Sequence, residues 1–146
     1  MSIIFRYVHV QRADGTLRRA PYVPVWVRNN QGQLLQILAL VDSGADFTVI
    51  PTDLAELLGL RQDAYATTTA GIGGKVDVKK TVFSFEIKNI REHYSLSVPA
   101  LILQDQNSDV PLLLGRNGFF EEFHVTFKQH EEKIILKKID AHSSVK

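Results

Sequence analysis

The stretch that decides the fold is Leu40-Val41-Asp42-Ser43-Gly44-Ala45-Asp46-Phe47-Thr48-Val49-Ile50. An apolar run, Ile37-Leu38-Ala39-Leu40-Val41, stops at a carboxylate, and a second apolar run begins just beyond Ser43, Gly44 and Ala45. This pattern predicts a buried strand that delivers Asp42 into a tight turn. Ser43 can stiffen the turn by hydrogen-bonding a neighbouring backbone group. Gly44 opens backbone conformations closed to other residues and lets a ligand or another chain approach. A carboxylate held between apolar runs is costly unless it is hydrogen-bonded, shares a proton or takes part in chemistry. Taken alone, Asp42-Ser43-Gly44 reads as an Asx-turn between two core strands.

Two later stretches change that reading. Ala70-Gly71-Ile72-Gly73-Gly74 is a glycine-rich tip, and Leu112-Leu113-Leu114-Gly115-Arg116-Asn117 is an apolar strand running into a glycine turn. The order of acidic turn, glycine-rich hairpin and apolar-apolar-glycine resembles the retropepsins, the retroviral-type (clan AA) aspartic proteases. Residues 32–50 resemble the strand pair around that family's catalytic turn, Gly71-Ile72-Gly73-Gly74 its flap tip, and Gly115-Arg116-Asn117 the start of its C-terminal helix. The resemblance runs from about residue 31 to 127. It implies an all-β fold, a retropepsin-type acid protease barrel with a flap hairpin and one or two short helices, as a single domain over residues 1–146.

Composition narrows the field. At 146 residues the chain is long enough for one modest core but not two. A formal net charge of +1 gives no reason to expect nucleic acid or an anionic membrane as a partner. The chain has no cysteine, which rules out disulfides and thiolate nucleophiles and fits a reducing, cytoplasmic setting. No apolar run is long enough to span a bilayer, and Arg6, Arg12, Arg18 and Arg19 break up any signal-peptide layout. A start at Met1 suggests a stand-alone product. His9, His93, His124, His130 and His142 lack paired metal-ligand spacing, so no metal site and no cofactor is expected.

Along the chain, short strands alternate with turn signals, the pattern of a barrel or sandwich. Strands are expected at 1–10, 22–27 and 33–41, continuing at 47–50. Asp14-Gly15 and Asn29-Asn30-Gln31-Gly32 are the intervening turns. Pro24 puts its strand at an edge or bulge, and Trp26 reads as a core or interface anchor. Residues 51–60 predict a helix capped by Thr52 or Asp53, with Leu54, Leu57 and Leu58 as its stripe and Gly59 as its stop. Such a helix is more like the cellular and bacterial relatives than the smallest viral proteases. A solvent-facing hairpin over 65–69 and 75–81 carries the glycine tip. Strands follow at 82–90, 94–103 and 110–114, a helix at 116–123 with Phe119, Phe120 and Phe123 inward, strands at 124–127 and 133–139, and a frayed tail at 141–146.

The resemblance also implies a chemistry. One chain carries one Asp-Ser-Gly turn, so the family's paired carboxylates would come from a homodimer that sets Asp42 beside its symmetry mate. Asp42, Ser43 and Gly44 are then the catalytic residues: Asp42 shares a proton, Ser43 locks the two turns together and Gly44 bonds the substrate backbone. Ala45, Asp46, Phe47, Val49, Gly71, Ile72, Gly73 and Leu113 are substrate-binding candidates, and Asp46 with Arg116 forms a structural pair. Phe47 stands where some viral members have a polar residue, which suggests an apolar pocket. The glycine tip reads as a lid, with Ile72 excluding water. In this family the termini interleave between subunits, and residues 3–8 and 134–139 are suitably apolar strands. The partners implied are a second copy and a peptide or protein substrate. Two other readings use the same residues: an inactive dimeric peptide-binding module of this fold, and a monomeric barrel in which Asp42 is only a turn residue.

Overall fold

The computed structural model describes residues 1–62, 66–71, 74–105 and 109–140. Among these, a hydrophobic alternation builds the main sheet. In β4 (Tyr22–Arg28), Val23, Val25 and Val27 are buried while Tyr22, Pro24 and Trp26 are half-exposed. In β9 (His93–Leu103), Leu96, Val98, Ala100 and Ile102 point inward. In β8 (Gly74–Lys88), Phe83, Phe85 and Ile87 do so, the two rings stacking at 5.0 Å. A period of two with one apolar face is what a sheet wrapped around its own core requires.

With β5 (Leu34–Val41), β6 (Thr48–Ile50), β7 (Ala66–Gly71) and β10 (Leu113–Leu114), these strands run in the order β4-β5-β10-β6-β9-β8-β7. A bridge between Trp26 and Glu86 joins β4 to β8 and closes the barrel. Pro24 pairs with Leu38 on the β5 side, and β4 meets β8 on its other side at the Trp26–Glu86 bridge, so its strand is not an open edge. Trp26 is not in the core: it is half-buried on the outer surface, with the Lys88 ammonium 4.7 Å from its ring centre. β10 is the insertion that matters for the site. It pairs in parallel with the end of β5 and antiparallel with β6, so it runs between the two strands that flank the Asp42 turn.

A second sheet has the order β1-β12-β11, from β1 (Ser2–Arg6), β12 (Lys133–Lys138) and β11 (Phe123–Lys128). Ile3, Ile134, Leu136 and Phe123 bury its inner face. The terminal strands expected to interleave between subunits thus pair with each other in one chain, Ser2 against Lys137 through Arg6 against Lys133. The strand predicted over 1–10 is two strands. It breaks at buried Tyr7, whose N–H bonds the Glu132 carbonyl at 2.8 Å, and then pairs as β2 (Val8–Gln11) with β3 (Leu17–Ala20) across the Asp14-Gly15 turn.

The predicted helix is α1 (Thr52–Leu58). Gly59 ends it in the left-handed region at φ 64°, the Leu60 N–H reaching back to the Ala55 carbonyl. Neither Thr52 nor Asp53 is its N-cap. Pro51 holds that position without a side-chain bond, and the Thr52 hydroxyl donates to the Leu103 carbonyl of β9. Leu54 and Leu58 face the core, joined by Ala55, while Leu57 faces solvent. Strands predicted at 75–81 and 82–90 are one continuous β8, and the polar turn after it spans 89–92. The strand at 110–114 shortens to β10. The helix at 116–123 shortens to a turn, Arg116–Phe120, with Asn117 and Gly118 outside helical geometry. Phe119 is buried in that turn and Phe120 partly so, while Phe123 belongs to β11. No helix among the described residues is long and apolar enough to cross a membrane.

Candidate active site

Asp42 follows directly on β5, where backbone bonds hold the chain from two sides. Leu40 N–H donates to the Leu112 carbonyl at 2.8 Å, Asp42 N–H to the Leu114 carbonyl at 3.0 Å, and Val41 N–H to the Pro21 carbonyl at 3.1 Å. The carboxylate is half-buried. Its Oδ1 accepts the Gly44 N–H at 2.9 Å, and its backbone carbonyl accepts the Ala45 N–H at 3.3 Å. The turn is therefore an Asx-turn in geometry. Among the described residues Oδ2 has no partner, so one oxygen of a fixed carboxylate is left for a ligand. Gly44 does not adopt a positive φ, so the backbone freedom expected of it is not used; an added Cβ would sit 3.3 Å from Asp42 Oδ1. Ser43 is exposed, and among the described residues its hydroxyl makes no hydrogen bond.

The far side of the turn is tied to the segment after β10. Arg116 N–H donates to the Ala45 carbonyl and Asn117 N–H to the Asp46 carbonyl, both at 2.8 Å. The Arg116 guanidinium pairs with the Asp46 carboxylate, as expected, through one nitrogen and one oxygen and with both groups largely exposed. Such a pair orients two loops and adds little stability. Phe47 is 37% exposed and, with Asp46, Arg116, Asn117, Phe120 and Glu121, lines an open recess of about 560 Å³. Val49 and Leu113 are half-buried and opposite each other on β6 and β10.

Two contributors were not singled out from sequence as site residues. Thr48 is fully buried, and its hydroxyl accepts the Gly115 N–H at 3.3 Å. A hydroxyl inside an otherwise apolar run was the available signal. Gly115 itself passes so close to Phe47 that a Cβ would lie 2.3 Å from the Phe47 carbonyl oxygen. Together they clamp β10 against the strand leaving the turn.

The glycine-bearing hairpin is formed by β7 and β8, paired from Ala66 against Lys79 to Gly71 against Gly74. Gly71 ends β7, while Ile72 and Gly73 lie outside the described residues. Beyond Val78, where the ladder to β9 ends at Leu103, the hairpin's strands pair with each other among the described residues, and the Gln104 N–H bonds the Asp77 carbonyl at 3.1 Å. No cluster of His, Asp and Glu among the described residues is placed to hold a metal ion.

Comparison with known proteins gives three findings. Residues 23–117, which contain the Asp42 turn, the β7–β8 hairpin and β10, match the model of a family described as aspartyl protease. A retropepsin-like aspartic protease from Rickettsia conorii is similar in structure, with a TM-score of 0.57 and 20% sequence identity, over 93% of this chain and 98% of that one. The EIAV protease solved with the inhibitor HBY-793 aligns with a TM-score of 0.44 and 27% identity, over 73% of this chain and 88% of that one. No curated protein matches the chain. The Rickettsia likeness identifies the fold, which is the retropepsin-type barrel with short helices expected from the sequence.

Proposed function

The chain belongs to the aspartyl protease family and has a retropepsin-like fold, and from that premise we propose that it is an endopeptidase whose active site forms when two copies bring their Asp42 residues together. The observation that carries the reading is Asp42 itself. It is held by its backbone at the mouth of the β5–β6 turn, with Oδ1 tied to the Gly44 N–H and Oδ2 without a partner among the described residues.

Two such carboxylates facing each other cannot both ionise, so one proton is shared, a behaviour for which aspartic proteases are the established example. The pair titrates as a unit. Its ionised member takes a proton from a bound water, which attacks the peptide carbonyl. The protonated member stabilises the tetrahedral intermediate, and a proton then passes to the leaving nitrogen. Ser43, exposed and with no hydrogen bond from its hydroxyl among the described residues, fits the bond that would lock the two turns. Gly44 offers its carbonyl to the substrate backbone. Ala45 and Asp46 line the cleft; Phe47, Val49, Leu113 and Ile72 supply apolar surface; Gly71 and Gly73 let the hairpin close over the peptide. The substrate is a peptide or protein cut between apolar residues, and the setting we assign is cytoplasmic.

The test compares the parent with Asp42→Asn on a mixed peptide library, from mildly acidic to neutral pH, with cleavage read by mass spectrometry. Cleavage by the parent alone with an acid-side optimum is expected. Equal cleavage by both proteins, or silence from a parent shown to be dimeric, would overturn the proposal, and the second outcome would favour a peptide-binding module.

A further inference from the structure

Net charge describes the whole chain, and one face of the terminal sheet departs from it. Side chains alternate across a strand, so the residues of β1, β12 and β11 that do not face the core share the outer surface. The register sets them in three rows across the sheet: Ser2–Lys137–His124, Ile4–Ile135–Thr126 and Arg6–Lys133–Lys128. Four of these nine residues are formal cations and none is acidic. We propose that this face is a docking surface for an anionic lipid bilayer, on which the chain lies as a peripheral protein. The inference stands apart from the paired-Asp42 reading.

The cations are placed where the chain alone gives no reason for them. Arg6 lies directly opposite Lys133, and Lys133 directly opposite Lys128. Like charges directly opposite each other cost a sheet stability. Among the described residues Arg6, Lys133 and Lys137 make no ion pair, and Lys128 reaches Glu131 at 3.4 Å in the turn that follows. Lysines on an edge strand guard against aggregation. Lys133 and Lys137, however, are on β12, the central strand, which has a partner on each side. Solubility is served as well by mixed signs. An external anion accounts for the repulsion where those two roles do not. With four cations on this face and a formal net charge of +1 for the chain, the remaining residues sum to −3. That asymmetry turns this face toward a negative surface and the rest of the molecule away from it.

The middle row decides which polyanion. Ile4 is 58% exposed and Ile135 half-buried, and both lie between the cationic rows. The outer rows are roughly 13 Å apart along the strands, and the sheet is roughly 10 Å across. A bilayer interface takes both parts, its anionic headgroups meeting the cations while Ile4 enters the acyl boundary. A nucleic-acid backbone takes the charges but gives the exposed isoleucine no apolar partner. The face also carries no Phe, Tyr or Trp on which a base could stack.

The test sediments the full chain with vesicles of phosphatidylcholine, with and without a one-third share of phosphatidylserine, at low and at physiological salt. The parent should bind the phosphatidylserine vesicles alone and be released by salt. Each cation at such a surface contributes roughly fivefold in partition, so Lys133→Gln with Lys137→Gln should lose on the order of 25-fold. The charge-matched pair Lys80→Gln with Arg91→Gln, on β8 and in the turn after it, should bind as the parent does. Ile4→Ser, which leaves the charge alone, should bind several-fold less. Melting checks that each variant folds, and Lys133→Arg with Lys137→Arg should keep binding. A folded parent that ignores phosphatidylserine vesicles at low salt overturns the proposal, as does an equal loss from the control pair. A DNA duplex bound at least as tightly at the same salt, with Ile4→Ser indifferent, overturns it in favour of a phosphate backbone. Each of these outcomes is independent of whether Asp42→Asn abolishes peptide cleavage.

Discussion

Gly44 and Gly115 are both turn glycines in the sequence, yet the structure gives them unequal duties. A Cβ at Gly115 would overlap the Phe47 backbone, which cannot move without shifting the strand that leaves Asp42. Gly115→Ala should cost on the order of 1–3 kcal/mol or more, as overpacking does, and should abolish cleavage, both read from urea unfolding and a peptide assay. Gly44→Ala meets only a carboxylate oxygen at 3.3 Å, so its stability should stay within about 1 kcal/mol of the parent. Glu132 shows a different residue-scale effect. Partial burial would raise its pKa, but hydrogen bonds from His9 and Arg19 outweigh that and hold it below the ordinary 4.5. A depressed carboxylate contributes stability above its unfolded pKa and loses it as pH falls through the folded one. Glu132→Gln should therefore melt earlier than the parent at pH 7, and the gap should close as pH drops below about 4.5. An unchanged gap down to pH 3 would contradict this.

At the scale of elements, β8 behaves as two segments under one name. From Val78 to Lys88 it is paired with β9 inside the barrel, while over Gly74 to Asp77 its strand partner among the described residues is β7, the Asp77 carbonyl also accepting the Gln104 N–H. A two-stranded hairpin is marginal by itself, whereas strands bonded on a packed sheet open only with the global transition. Hydrogen exchange should therefore be orders of magnitude faster at Val76 than at Phe85; equal protection would mean that the hairpin rests on something else. Thr52 illustrates how an element's end can serve the whole. Its hydroxyl bonds Leu103 rather than capping α1, so Thr52→Val should cost about 0.5–1.5 kcal/mol by loosening the helix from β9.

For the whole molecule, the paired-Asp42 proposal links activity to assembly. If the site needs two chains, activity per chain should fall on dilution and the melting temperature should rise with concentration, as mass action requires. Constant specific activity over a wide dilution range would remove the need for a partner. Because β1, β12 and β11 already pair within one chain, the monomer should keep its terminal sheet on dissociation. Far-UV circular dichroism of a diluted, inactive sample should then match that of the dimer.

What the chain determines locally was legible from the residues. The strand into Asp42, the Asp14-Gly15 turn, the glycine stop at Gly59 and the Asp46–Arg116 pair all rest on neighbours in sequence, on glycine's freedom at positive φ or on a motif. The motif order also carried the fold class, because an acidic turn, a glycine tip and an apolar-glycine strand make sense together only around one site. Distant partners decided the rest. The break at Tyr7 depends on a carbonyl at Glu132, the use of Thr52 on Leu103, and the short β10 on how much room β5 and β6 leave between them. Periodicity cannot report these, since a strand's length and a hydroxyl's partner are chosen by whichever backbone groups packing brings within reach. The same reason explains the termini: their apolar pattern called for a sheet, and only the tertiary structure decided that each finds its partner in its own chain.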